Sequence, residues 1–295
     1  MPLTTGDFTV PTTELGRIAD RVRQDSVLAT LSPERPTLFG NVSAVRMSRK
    51  PRAQIVAEGA QKTSDTPEWA SVVASPIKFQ TTVRMTEEVR WLDQDHRLQI
   101  VDELVDALGE SMARAVDLIG IHGINPITGT SAASVTSFLN QTTNRATAGD
   151  APTDELIAAV GAVAGAGYQA TGVALDQGYA FGLATEQYAD GRDRNPGMGF
   201  GAGVQNWRGL NVASSSTVSG QPEAADTNLR ALAGDYTQVK WGFQRRIPVE
   251  LIEYGDPDGN GDLKGQNELA YRAEGVIYVA IFDLDAFAAV DAAAG

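Results

Sequence analysis

Apolar residues in this chain follow different rhythms along its length. Near the start, Leu15, Ile18, Ala19 and Val22 share a helical face behind Thr12 or Thr13 as N-cap, and Ser32-Pro33-Glu34-Arg35-Pro36 breaks the pattern. Such a segment has too few apolar residues to fold alone, so it must lie on something else. Residues 41–47 and 77–84 then alternate, with Ile77, Phe79, Thr81 and Val83 on one side and Lys78, Gln80, Thr82 and Arg84 on the other. This predicts two strands around a long polar excursion at 57–69. A two-stranded ribbon is marginal in isolation, so a hairpin projecting this far rests on a partner.

The strongest periodicity follows. Leu98, Val101, Leu104, Val105, Leu108, Met112, Val116 and Ile119 recur at steps of three and four. They predict a helix about 30–35 Å long, with Asp95 as N-cap and Gly120 and Gly123 as its stop. One apolar stripe on so long a rod reads as a structural spine. Residues 121–130 form a glycine- and proline-punctuated loop.

From Thr153 the rhythm alternates between helix and strand. A helix at 153–164 is followed by a buried strand at 171–176, a helix at 179–188, a glycine-rich loop at 192–203 and a strand at 207–213. Strands are predicted again at 235–243 and 246–254. Residues 267–282 are ambiguous between helix and strand in their first half and read as strand in their second.

Composition narrows the chemistry. Of 295 residues, 42% are apolar and 21% charged, which is ordinary for a globular protein. There is no cysteine, which excludes disulfides, thiolate metal sites and thiol catalysis. Two histidines, His96 and His122, are too few for a multi-histidine metal centre. His96 falls in the first turn of the long helix and His122 at its exit, where capping or burial is the ordinary role. No apolar run approaches the ~20 residues that span a bilayer. The N-terminus lacks the basic start and apolar core of a secretion signal, so a soluble protein made in a cytoplasm is expected.

The net charge is −13, unevenly spread. Residues 1–52 carry eight Arg/Lys against five Asp/Glu, so the remainder holds −16. A basic leading segment on an acidic body seeks an acidic partner, either a polyanion or a neighbouring subunit. A solvated helix face gives the same count. The acidic balance argues against nucleic acid wrapped over the whole surface.

Two motifs invite chemistry. Gly197-Met198-Gly199-Phe200-Gly201-Ala202-Gly203 looks like a dinucleotide fingerprint, but that needs a strand before it and a helix after it. Asp190 to Pro196 before it read as loop. The second, Asp256-Pro257-Asp258-Gly259-Asn260-Gly261-Asp262-Leu263, matches the first half of a calcium loop, with Asp256, Asp258, Asn260 and Asp262 as alternate oxygen donors. The bidentate Glu expected at position twelve is Asn267, with Glu268 one place late. The same residues equally make a β-turn tip. Neither histidine has a nucleophile or metal partner nearby in sequence, so no catalytic residue, cofactor or resident metal is expected.

The order of these pieces resembles the major capsid proteins of tailed bacteriophages, the Hong Kong 97 fold. Ala57-Glu58-Gly59-Ala60-Gln61-Lys62-Thr63 is similar to the tip of that family's E-loop. Val83-Arg84-Met85-Thr86-Glu87-Glu88-Val89, the long helix and Gly120 to Gly129 resemble its spine-helix signature. Trp207-Arg208-Gly209-Leu210-Asn211-Val212 resembles a returning strand of the axial domain. Gly234-Asp235-Tyr236 and Tyr271-Arg272-Ala273-Glu274 resemble closing strands of the peripheral domain.

The resemblance implies an α+β fold. Its parts would be an N-terminal arm at 1–40, an E-loop hairpin at 41–83, a peripheral domain at 84–132 and 236–295, and an α/β axial domain at 133–235. It implies a structural subunit, not an enzyme, whose pentamers and hexamers build an icosahedral shell around double-stranded DNA. Glu58, Lys62, Trp69, Arg46 and Arg49 would then lie at contacts between subunits. The partners implied are many copies of the same chain, with scaffolding, portal and decoration proteins as separate chains and no membrane. The setting implied is the virion, assembled in the host cytoplasm. Some members link an E-loop lysine to a distant asparagine; Lys62 lies in the right region, without an alignable partner Asn or activating Glu. Two rival readings stand beside this one. One is an encapsulin-like nanocompartment of the same fold. The other, from a different class, is a small α/β nucleotide-binding enzyme using the 197–203 loop.

Overall fold

A computed structural model describes residues 26–96, 100–149, 151–199, 205–245 and 249–292. The helix expected at 12–22 lies outside them. One strand organises the first half of the fold. Strand β13 (Glu268–Ile281) runs for 14 residues and is paired along both sides. Strands β11 (Val239–Arg245) and β12 (Val249–Ile252) pair antiparallel with one edge of β13, and β3 (Ile77–Thr86) pairs with the other over Glu268 to Ile277. The ambiguity at 267–282 thus resolves as strand throughout. Ladders on both edges, two-sided at 270–273 and 276–277, take up most of the backbone groups there, which outweighs the helical preference of residues such as Ala270 and Ala273.

This pairing corrects the expected hairpin. The alternating stretch at 77–84 does not return against 41–47. Strand β1 (Val42–Arg49) pairs instead with β2 (Glu68–Ala74), which overlaps the end of the polar excursion and runs on past it, where no strand was expected. Burial decides it: Ile77, Phe79, Val83 and Met85 of β3 pack on the main core, which a free-standing ribbon could not offer them.

The long helix is confirmed in place but not in its start. Helix α2 (Glu87–His96) begins directly after β3, so Asp95 lies inside a helix rather than capping one, and His96 ends α2 instead of opening the spine. Helix α3 (Ile100–Asp117) then buries Val105, Leu108, Met112, Ala113 and Val116, and packs across β3. A single π-turn (Leu118–His122) ends at Gly123, whose left-handed backbone (φ 65°) donates its N–H to the Ile119 carbonyl at 3.1 Å.

The second half is a six-stranded mixed sheet. It comprises β6 (Arg145–Thr147), β7 (Gly172–Leu175), β8 (Gln205–Trp207), β9 (Leu210–Ser214), β10 (Leu229–Gly234) and β14 (Phe287–Asp291), in the order β6-β14-β10-β7-β9-β8. Helices α4 (Pro152–Gly165) and α5 (Gln177–Thr185) cover it, and Leu156, Val163, Leu175, Leu183, Trp207 and Val290 share its core. Helix α4 starts at Pro152, one residue before the expected start, and Thr153 is buried in its first turn. The single strand expected at 207–213 is a tight hairpin: Arg208 (φ 51°) and Gly209 (φ 88°) make a turn between β8 and β9. The strand expected at 235–243 begins only after one 3-10 turn at Tyr236–Gln238.

A strap ties both halves together. Ser26 caps a one-turn helix, α1 (Val27–Leu31), whose Val27 and Leu28 enter the core. Beyond it Ser32 Oγ donates to the Val239 carbonyl (3.0 Å), Trp241 Nε1 to the Ser32 carbonyl (2.8 Å), Arg35 N–H to the Trp241 carbonyl (2.8 Å) and Tyr278 Oη to the Arg35 carbonyl (2.7 Å). The strap crosses so closely that a Cβ at Gly242 would collide with the Arg35 carbonyl. The need of this segment for a support, evident from its composition, is met by β11.

Candidate assembly surfaces

The β1–β2 hairpin has two unlike faces. Opposite residues in an antiparallel ribbon share a face, so the register Val42↔Ala74, Ala44↔Val72 and Arg46↔Ala70 defines the inner one. Ala74, Val42 and Val72 pack there on Tyr278 and Ala280 of β13. The outer face carries Val45 (65% exposed), Trp69 (62%) and Val73 (59%). An apolar stripe this exposed on a ribbon with its other side already packed is an unfilled contact surface. Leu38 and Phe39, at the end of the strap, add more exposed apolar area near the root of the hairpin.

The five residues expected at subunit contacts divide into two groups. Trp69, Glu58 and Lys62 are exposed, the last two in the tip. Arg46 and Arg49 are instead engaged within the chain. Arg49 holds Asp65 through two donors at 2.7 and 3.3 Å and reaches Glu68 at 3.3 Å, bracing the hairpin against itself. Arg46 points inward to an ion pair with Asp283, and its Nη1 donates to Tyr168 Oη at 3.3 Å. Tyr168 donates in turn to Asp283 at 2.5 Å. Burial opposes the charge of Asp283, but donation from Tyr168 and Arg46 outweighs it and holds the carboxyl below the usual carboxylate range. Local sequence gave no sign of these partners, which lie 122 and 237 positions from Arg46. The outer stripe could have been found, since Val45 and Val73 sit on one side of an alternating pattern.

The calcium-loop reading gives way to an arginine. Arg84, at the end of β3, directs its guanidinium into the loop, onto Asp258 and onto Asp256 at 3.0 Å, and reaches Glu268 at 3.1 Å and the Gly261 carbonyl at 2.8 Å. Asp262 is turned away to cap helix α6 (Leu263–Gln266), accepting from Gly265 N–H at 2.8 Å, and Asn260 donates to Asp258 at 2.9 Å. The cation the loop surrounds is a side chain. Among the described residues, no group of three or more His, Asp or Glu is arranged to hold a metal ion.

The glycine run also loses its nucleotide reading. It is entered from a loop bridged by Gln187 and Asp193, and the next described element is strand β8, where a phosphate site needs a helix N-terminus. Residues 200–204 lie outside the description. Asn195, just before the run, is buried and fastens it: Nδ2 donates to Thr153 Oγ1 and the Leu183 carbonyl, and Oδ1 accepts from Trp207 Nε1 at 2.9 Å.

Both ends of the long helix's exit are buried and polar. His122 Nε2–H is directed at the Val218 and Thr217 carbonyls (2.9 and 3.2 Å), leaving Nδ1 to accept from Asn140 at 3.4 Å. This neutral imidazole is a structural post, as its sequence position suggested. Asp117 is fully buried. A lone carboxylate inside the apolar run Ala115-Val116-Asp117-Leu118-Ile119 was the available signal. A groove of about 270 Å³ between β3 and α3, lined by Phe79, Met112, Ile119 and Ile124, carries no convergent charged groups. No helix among the described residues is long and apolar enough to cross a membrane.

Solved structures of other proteins share the fold that carries these exposed apolar faces. The chain is similar to a solved structure from Mycobacterium phage Ogopogo, with 40% identity over 92% of each chain and a TM-score of 0.84. It is also similar to one from Gordonia phage Cozz, with 28% identity, 92% of this chain and 87% of that one covered, and a TM-score of 0.80. It shares its fold, at 15% identity and a TM-score of 0.64, with the capsid of an empty GTA particle computed with C5 symmetry, covering 92% of this chain and 91% of that one. No curated protein matches the chain significantly. The model of the phage capsid family matches residues 6–291, so the chain belongs to the phage capsid family, as a structural protein of the virion.

Proposed function

We propose that the chain is a major capsid subunit that self-assembles into the pentamers and hexamers of an icosahedral shell enclosing double-stranded DNA. In this reading the β1–β2 hairpin is the E-loop, and the β3-β13-β11/β12 sheet with α2 and α3 is the peripheral domain. The six-stranded sheet is the axial domain, and residues 26–40 are the root of the N-terminal arm. The observation that carries it is the hairpin's bare outer stripe of Val45, Trp69 and Val73 on a chain 40% identical to one from a phage. A neighbouring copy laid on that stripe removes it from water at about 25 cal/mol per Å² of apolar area. Repetition around a closed symmetric shell makes modest contacts collectively strong. Exposed Glu58 and Lys62 at the tip then reach the neighbour's surface, whereas Arg46 and Arg49 act within the subunit. The acidic body repels the genome, which suits a wall that must not trap what it holds.

Negative-stain microscopy of the purified full-length chain, with sedimentation at neutral pH, tests the reading. Closed icosahedral particles or capsomers are expected, and a stable compact monomer at high concentration overturns it. Particle contents separate a genome container from an enzyme-filled compartment of the same fold.

A further inference from the structure

The hairpin joins the body at two feet. One is Gly40, whose backbone (φ 139°) lies in the region that favours glycine and whose Cα faces open space. Gln244 clamps that foot, accepting from the Gly40 N–H at 3.3 Å and donating to its carbonyl at 2.6 Å. The other foot is the irregular Ser75-Pro76 step between β2 and β3. Between the feet, the ribbon meets the body through small and branched side chains, Val42, Val72 and Ala74 on Tyr278 and Ala280. Such a contact resists separation but gives little resistance to sliding, because dispersion and apolar burial are non-directional.

One directional contact is added to it. Arg46 reaches from β1 to Asp283, in the turn after β13, and to Tyr168, which follows α4. Tyr168 packs on both core clusters, so this contact refers the hairpin to the junction of the two halves and not merely to the sheet it leaves. The guanidinium is only partly engaged: Arg46 Nε is buried without a hydrogen-bond partner. The guanidinium is part-buried, and its one buried, unsatisfied N–H is a cost that persists here beside a carboxylate that only a folded chain brings within reach. Farther out, the side-chain hydrogen bonds are internal to the hairpin, as in Arg49 with Asp65 and Thr63 with Gln54.

We infer that the hairpin is a hinged lever whose angle is set by the Arg46–Asp283–Tyr168 catch. Releasing the catch lets the ribbon turn on Gly40 and Ser75-Pro76 while the sheet it springs from stays folded. All these groups belong to one chain, so the inference stands whether or not the shell reading does. Arg46 is a positioning residue for the hairpin, not a contact with a neighbour.

The chain contains no cysteine, so two can be introduced cleanly, as Ala57→Cys at the exposed tip and Glu110→Cys on the exposed side of α3. Spin labels at both sites, in full-length chain diluted with unlabelled chain, report the intramolecular distance by pulsed EPR. A single narrow distribution is expected for the parent. Asp283→Asn and Arg46→Ala are expected to make it at least twice as wide and to shift its centre, with unchanged far-ultraviolet circular dichroism. Arg46→Lys, lacking the planar fork, is expected between them. Should Asp283→Asn fail to fold, Tyr168→Phe carries the test, because it removes one hydroxyl and keeps the ring in both cores. A parent distribution that is already broad, or folded variants whose distributions superimpose on the parent's, overturns the inference.

Discussion

Ser26 Oγ donates to Asp117 at 2.6 Å across 91 positions of sequence. The carboxylate also accepts from Val27 N–H and Leu28 N–H, each at 3.0 Å, and from Thr217 Oγ1 at 2.9 Å. One buried side chain thus fastens the strap, the end of the long helix and the turn before β10.

Asp117→Asn is expected to cost about 3 kcal/mol, because an amide turns donors toward donors that are buried and cannot be resolvated. Burial raises the Asp117 carboxyl above its ordinary value, although four donors pull it back. A raised folded value means the stability it contributes is complete below the unfolded value and falls as pH rises through the folded one. The difference between parent and variant, from denaturant unfolding at several pH values, therefore shrinks as pH rises from the acid side.

His122 predicts the opposite slope. Burial lowers its imidazolium tendency, and its partners, two carbonyls and Asn140, hold the neutral ring. Its contribution is present above the ordinary histidine value and is lost as pH falls below it. His122→Gln should lower stability near neutral pH yet flatten the loss between roughly pH 6.5 and 5. Unfolding midpoints across that window check this.

Arg84 holds Asp258 down to about 2. In Arg84→Ala the Asp258 carboxyl should return to the ordinary carboxylate range, read by NMR titration. Its contribution is present above that range and lost as pH falls toward the depressed value, so the variant loses an acid-sensitive increment. Calcium should leave the parent's melting temperature unchanged, since the guanidinium fills the loop.

Trp69→Ser should leave the subunit folded, because the ring is 62% exposed, and should abolish or greatly weaken particle formation. Truncating a single aromatic anchor costs about 2 kcal/mol per contact, repeated at every interface of a shell. Sedimentation against circular dichroism separates the two effects.

Local patterning carried the long helix, the α/β alternation and the exposed tip, because periodicity reports which face is buried. It missed what depends on partners. Nothing in residues 77–84 says that their ladder is made with β13 rather than with 41–47. Strands β10 and β14, Leu-Arg-Ala-Leu-Ala-Gly and Phe-Ala-Ala-Val-Asp, are rich in alanine, and so lack the branched residues that mark strands from sequence. The acidic loop at 256–262 was read without the arginine that fills it 172 positions away. The exposure of Trp69 is legible from its place in a polar stretch, whereas the intrachain acids that Arg46 and Arg49 meet, Asp283 and Asp65, are not.

The seat of the strap has a consequence for biosynthesis. Residues 26–36 are made before the groups that receive them, Asp117, Val239 and Trp241. Ser32 must therefore wait until more than two hundred further residues have emerged before it can dock on β11. A nascent product that stops before β11 offers Ser32 and Arg35 no seat, so docking of the strap depends on synthesis of a distant part of the chain.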